Sequence, residues 1–256
     1  MNAATDFLPL ADADLERRFG ALRRLWGDAA YLKVRAARVA VVGVGGVGSW
    51  CAEALARCGV AKLVLIDLDQ VSESNVNRQV QALSSTIGAA KVDTLARRIA
   101  EIHPGCEVHA IEEFVDATNW PGLLPGAIDV VIDACDESRT KMQLAQWAIT
   151  TGSRLVTVGA AGGKTSPQAV KVNDLAQVTH DPLLARLRQQ LRKDGAPRTG
   201  DIGICCVHSA ETVVRPTDTC SFDGGLNCHG YGSSVMVTAT FGMVAAEQAL
   251  ACVRLI

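Results

Sequence analysis

The segment Gly43-Val44-Gly45-Gly46-Val47-Gly48 follows an apolar run and opens a helical pattern. Asp67 answers it about 20 residues later, at the end of a second apolar run. Strand, glycine turn, helix and second strand in this order make a nucleotide site. Glycines allow a tight turn and close backbone approach, the helix N-terminus offers free N–H groups to phosphate, and the carboxylate can hold ribose hydroxyls. Alone, the motif would indicate a dinucleotide. The segment beyond Asp67 points elsewhere, because Asn75, Asn77, Arg78, Gln79 and Lys91 supply amides and two cations where a third phosphate needs them. A hydride-transfer site has little use for these groups.

With 256 residues, 48% hydrophobic and 20% charged, the chain can bury one large core or a core with an attached lobe. Its first residues, Met-Asn-Ala-Ala-Thr-Asp, lack the cationic start and apolar stretch of a secretory signal, so the expected location is the cytoplasm. The apolar segment Val235 to Val253 is interrupted by Glu247 and Gln248 and reads as a buried helix, so no membrane association is expected. Nine cysteines, an odd number, read as small core residues rather than a disulfide framework. A net charge of −2 excludes a globally basic nucleic-acid binder but not a local basic patch.

Residues 14–33 carry Leu15, Phe19, Leu22 and Trp26 at helical spacing, with Arg17, Arg18, Arg23 and Arg24 between them, and residues 1–36 form a helical lead-in. Apolar runs at 38–43, 62–66, 107–111, 129–133 and 154–158 alternate with helical patterns at 47–58, 88–102 and 137–150. This order predicts an α/β fold, a doubly wound, Rossmann-like and mostly parallel sheet over residues 37–160. Beyond Gly159 the pattern changes. Residues 169–172 and 204–207 read as strands of an attached antiparallel lobe, with a helix near 182–193 between them, a long loop over 215–232 and a closing helix. The three segments 1–36, 37–160 and 161–256 are expected to make one compact unit.

Five motifs in order carry a resemblance: Gly43 to Gly48, Asp67-Leu68-Asp69, Ser74-Asn75-Val76-Asn77-Arg78-Gln79, Gly88-Ala89-Ala90-Lys91 and Val131-Ile132-Asp133-Ala134-Cys135-Asp136. Together they resemble the adenylating core of the ubiquitin-activating enzyme superfamily. Arg18-Phe19-Gly20, Ala160-Ala161-Gly162-Gly163, Asp174-Leu175-Ala176 and Val237-Thr238-Ala239-Thr240-Phe241-Gly242 extend the match to nearly the full chain. Within that superfamily they resemble the bacterial tRNA threonylcarbamoyladenosine dehydratases. The resemblance implies ATP and Mg²⁺ as cofactors, tRNA as the partner substrate, and adenylation of a carboxylate followed by ring closure. It also implies a homodimer in which an N-terminal arginine, Arg24 or Arg18 by motif position, completes the phosphate site. Sulfur-relay partners come with it too, since some relatives are associated with cysteine desulfurase systems.

The chemistry accounts for these residue types. A carboxylate oxygen attacking the α-phosphorus of ATP requires a held triphosphate and a neutralised pyrophosphate leaving group. Arg78 supplies a rigid fork and Lys91 a point charge for this. Asp136 is the candidate Mg²⁺ ligand and Asp133 the second choice, because Mg²⁺ commonly uses one or two protein carboxylates and takes its other oxygens from phosphate and water. Asp67 holds the ribose, while Asn75 and Gln79 orient phosphate or the attacking group.

Two Cys-x-x-Cys pairs would mark relatives that activate sulfur-carrier proteins, and Cys205-Cys206, Cys220 and Cys228 lack that spacing. Cys228 in the long loop and Cys206 before it are candidate substrate-contact residues. His103, His109, His180, His208 and His229 show no metal-ligand spacing. Arg186, Arg188, Arg192, Lys193 and Arg198 put five cations against Asp194 alone within thirteen residues, a pattern that suits phosphates as well as the wet face of an amphipathic helix. Two alternatives stand beside the leading reading: an activating enzyme for a sulfur-carrier protein, and a nicotinamide-dependent oxidoreductase or nucleotide-sensing module built on the same glycine loop.

Overall fold

The computed structural model describes residues 14–213 and 231–255. Seven strands form one sheet in the order β3-β2-β1-β4-β5-β7-β6. The strands are β1 (Arg38–Val42), β2 (Lys62–Ile66), β3 (Glu107–Ile111), β4 (Val130–Asp133), β5 (Leu155–Val158), β6 (Val170–Asp174) and β7 (Cys205–Ser209). All neighbours are parallel except β6, which runs antiparallel to β7.

The central strands are continuous apolar runs because helices cover both faces. Side chains alternate across a strand, so Val39 and Val41 of β1 enter one core with Leu55, Leu63 and Phe241, while Ala40 and Val42 enter a second with Val64, Leu144 and Leu184. Helices α3 (Gly48–Arg57), α4 (Lys91–Ile102) and α7 (Val235–Arg254) contribute to the first core. Helices α5 (Ser138–Thr151) and α6 (Pro182–Lys193) contribute to the second. Helices α1 (Leu15–Trp26) and α2 (Asp28–Arg35) form the helical lead-in and bury Phe19, Tyr31 and Val34.

The two late strands are antiparallel to each other, as their sequence suggests. They continue the main sheet, since β7 pairs in parallel with β5 through Val156↔Cys205 and Val158↔Val207. Helix α7 is long and apolar enough to cross a membrane by length and composition alone. Here it is a core helix that buries Val237, Phe241, Ala245, Ala249 and Val253. Gly242 lets it approach α3, because a Cβ there would stand 2.6 Å from the Val47 carbonyl oxygen and 2.9 Å from the Cys51 nitrogen.

Candidate active site

The sheet reverses its winding between β1 and β4, the place where ligands of such sheets bind, outside the carboxyl ends of the strands. The glycine turn occupies that place. Gly43 has φ +84°, and a Cβ on it would lie 3.0 Å from the backbone of Ala134 and Cys135, so the chain ends of β1 and β4 nearly touch here. A Cβ on Gly48 would fall 1.8 Å from the Gly43 carbonyl oxygen, which shows how tightly the start of α3 folds over the turn. Gly45 and Gly46 face the next segment, with Gln79 Nε2 3.9 Å and the Arg78 side chain 3.5 Å from where their Cβ atoms would be.

Asp67 closes the second side of the turn. Its carboxylate accepts from Val44 N at 2.8 Å and from Asp69 N at 2.9 Å, which fixes it against the glycine loop. Burial pushes its carboxyl above the ordinary range, opposed by nearby Lys91 and by the two backbone N–H groups. Lys91, at the start of α4, is buried, and its Nζ lies 3.9 Å from Asp67 and donates to Asp69 at 2.6 Å. The sequence names Asp69 within a motif but gives it no role, and the structure makes it the contact partner of the lysine.

The 75–79 segment is locked in place by residues to which the sequence gives no role in the site. Trp50 Nε1 donates to the Arg78 carbonyl at 2.9 Å, Gln81 Nε2 donates to the Val44 carbonyl at 2.9 Å, and the Thr238 hydroxyl reaches the Arg78 carbonyl at 3.4 Å. Ser49, Gln81 and Thr238 are buried polar residues, and that burial is the signal a sequence pattern does not display. Within the segment, Arg78 donates to the Ser74 carbonyl at 2.5 Å and to Asn77 Oδ1 at 3.0 Å, while Asn77 Nδ2 donates to the Ser233 carbonyl at 2.9 Å. The Asn75 carboxamide accepts from Ser72 N and completes a capping box, and Gln79 is buried and accepts from Gln81.

The two aspartates at and beyond the end of β4 part company. Asp133 is fully buried: it pairs with Lys141 Nζ at 3.0 Å, accepts from the Thr157 hydroxyl and from Cys135 N, and offers no exposed oxygen to a metal. Asp136, three residues on, is exposed and has no ion pair or hydrogen bond among the described residues.

Other sequence-derived candidates separate in the same way. Arg18 donates to the Glu101 and Ile102 carbonyls at the end of α4, and Arg23 pairs with Glu16 and Asp28, whereas Arg24 is exposed. Cys206 is a core residue rather than a substrate contact. It has no exposure, and burial pushes its thiol far above the ordinary range. Asp174, also within a motif, serves the fold by accepting from Ile202 N and Gly203 N. Cys228 and His229 lie outside the described residues.

Comparison with known proteins agrees with this geometry over nearly the whole chain. Residues 19–256 match the model of the ThiF family. The chain is 40% identical to the tRNA threonylcarbamoyladenosine dehydratase of Escherichia coli, covering 91% of this chain and 92% of that protein. To its namesake from Haemophilus influenzae it is 38% identical, covering 92% of each. The crystal structure of the E. coli tRNA N6-threonylcarbamoyladenosine dehydratase TcdA in complex with ATP superposes with a TM-score of 0.86 at 40% identity, covering 96% of this chain and 97% of that one. A second structure of that enzyme, in complex with AMP, gives the same TM-score. The chain therefore belongs to the ThiF family and, within it, to the tRNA threonylcarbamoyladenosine dehydratases.

Proposed function

We infer that this protein uses ATP to dehydrate threonylcarbamoyladenosine in tRNA. The observation that carries the reading is the glycine turn at the β1/β4 crevice, with Arg78 beside Gly46, Lys91 beside Asp67 and exposed Asp136 following β4. A carboxylate oxygen of the threonine side group attacks the α-phosphorus, and the bond to the departing pyrophosphate breaks. A nucleophile within the same modified base then attacks the activated carbonyl carbon, expels AMP with the former carboxylate oxygen, and loses its proton to the medium. The net change in the base is the loss of one water.

Each residue has a stated part. The glycines and the first turn of α3 cradle phosphate, Asp67 holds the ribose, and Arg78 and Lys91 neutralise the triphosphate. Asn75, Asn77 and Gln79 hold the turn that presents Arg78. Asp136 would hold Mg²⁺; its exposed carboxylate fits a cation that takes one or two protein ligands, and the metal when bound would neutralise phosphate charge. Asp133, already consumed by Lys141 and Thr157, is assigned to positioning the turn rather than to the metal. The nucleophile for ring closure is tethered to the carboxylate it attacks, so proximity removes the need for an enzyme cysteine.

A homodimer is part of this reading. Arg18 and Arg23 are committed within their own chain, which leaves exposed Arg24 to reach a second copy; Leu25 next to it and Leu32 on the following helix are exposed apolar side chains, at 72% and 57%. A tRNA substrate fits the cytoplasmic location expected from the sequence. The test is incubation with ATP, Mg²⁺ and tRNA carrying threonylcarbamoyladenosine, followed by nucleoside mass spectrometry. Loss of one water together with AMP and pyrophosphate is expected. ATP cleavage without conversion of the base would transfer the assignment to another carboxylate.

A further inference from the structure

We propose that the groove at the C-terminal end of α6, lined by Gln189, Arg192, Lys193 and Arg198, grips backbone phosphates of the substrate tRNA at a distance from the reacting base. The proposal rests on tRNA being the substrate. The groove has a volume of about 310 Å³, roughly ten times the volume of one water in the liquid, so it can seat a hydrated phosphate group.

Three cations converge here in a chain whose net charge is −2. None of the three makes an ion pair among the described residues. The adjacent carboxylate, Asp194, instead accepts from Gln190 Nε2 at 3.2 and 3.4 Å. Arg192 and Lys193 occupy the last turn of α6, where cations suit the helix dipole, but that effect does not account for Arg198. Arg198 arrives from outside the helix along a built turn. Gly195 reverses the chain at φ +105°, Ala196 N donates to the Leu191 carbonyl at 2.9 Å, and Arg192 Nε donates to the Pro197 carbonyl at 3.3 Å.

The same helix links this groove to the active-site edge. Asp181 caps α6 and its carboxylate accepts from Ala160 N at 2.9 Å, in the turn that follows β5. Twelve helical residues span about 18 Å, so the groove stands about that far from the turn. A group at this distance addresses the backbone of a long substrate rather than the modified base itself. Phosphate contacts of this kind position a nucleic acid without reading its sequence. Arg188 is not part of the groove, since its guanidinium donates to the Leu175 and Val178 carbonyls.

The test compares full-length wild type, the triple variant Arg192→Gln/Lys193→Gln/Arg198→Gln, and the control Arg186→Gln, an exposed cation of the same helix outside the groove. Binding to tRNA is measured across a salt series, and ATP affinity is measured separately. The triple variant should bind tRNA about tenfold or more weakly and reduce the slope of log K against log salt by about 2–3, each neutralised phosphate counting for about 0.7–0.9. ATP affinity and the Arg186→Gln variant should match wild type. Unchanged tRNA binding and slope in the triple variant would overturn the groove while conversion by wild type kept the dehydratase assignment intact. An equal loss in Arg186→Gln would replace the groove by diffuse charge. A loss of binding to poly-glutamate but not to tRNA would make the groove an acidic-peptide site, and failure of wild type to bind or convert tRNA would remove both readings.

Discussion

Asp133 and Lys141 meet at 3.0 Å with neither side chain exposed to solvent, one at the end of β4 and the other on the first turns of α5. The Thr157 hydroxyl and Cys135 N complete the carboxylate's hydrogen bonds, so the charges are enclosed as a satisfied unit beneath the turn that carries Asp136. Removing one member leaves the other charge buried and alone. Lys141→Met should therefore cost about 3–5 kcal/mol of stability, whereas Asp133→Asn/Lys141→Met should recover most of that loss. Urea denaturation of the three proteins checks this. A single variant within about 1 kcal/mol of wild type would show that the pair is not a closed unit.

Gly48→Ala probes the glycine turn without touching any charge. The added Cβ would overlap the Gly43 carbonyl oxygen at 1.8 Å, and because that atom is backbone, the start of α3 must move away from β1. ATP affinity should fall by at least tenfold, read by calorimetry, while far-UV circular dichroism stays near that of wild type. Binding equal to wild type would mean that the phosphates do not sit on this turn.

Much of this architecture is legible in the sequence because it depends on local patterns. β1 and β2 are apolar runs behind one leading cation each, Arg38 and Lys62, Gly43 and Gly48 answer steric needs that only glycine meets, and Arg78 and Lys91 stand in motifs. What escapes is pairing between distant segments. No pattern at Asp133 announces that Lys141 and Thr157 will enclose it while Asp136 stays outside, since the two aspartates stand three residues apart in one motif. Trp50 and Thr238 both reach the Arg78 carbonyl, yet they come from helices separated by most of the chain. The two late strands read as antiparallel to each other, but their continuity with β5 depends on sheet order, which hydrophobic spacing does not encode. Cys206 looks available in a linear reading and is enclosed once β7 takes its place between β5 and β6.

His103 should make folding stability fall in mild acid. Its ring is buried, Arg35 donates to Nε2 at 3.0 Å, and the Phe19 ring lies 4.8 Å away, so the neutral imidazole is the form that fits. Burial, and then the Arg35 charge, hold its pKa down from the ordinary 6.5 to about 4. A depressed value means that the unfolded chain binds a proton before the native one does. The contribution is complete above pH 6.5 and is lost as pH falls through the window from about 6.5 to about 4. In urea unfolding across that range, His103→Leu should show a shallower decline than wild type, and parallel curves would assign the acid sensitivity to other groups.

Variants of Arg24 test whether one copy completes the site of another. Arg24→Ala and Asp136→Asn should each abolish pyrophosphate release from ATP in the presence of substrate tRNA. If Arg24 acts across a two-fold interface, a mixed dimer of the two variants contains one site with an intact aspartate and an intact arginine from the other copy. Random pairing makes half of the dimers mixed, each with one working site of two, so co-expressed variants should recover about a quarter of wild-type activity. If Arg24 served its own chain, every site in the mixture would lack one of the two groups and no activity would return. Full activity in Arg24→Ala alone would remove the residue from the phosphate site, and with it the requirement that the dimer form before ATP is cleaved.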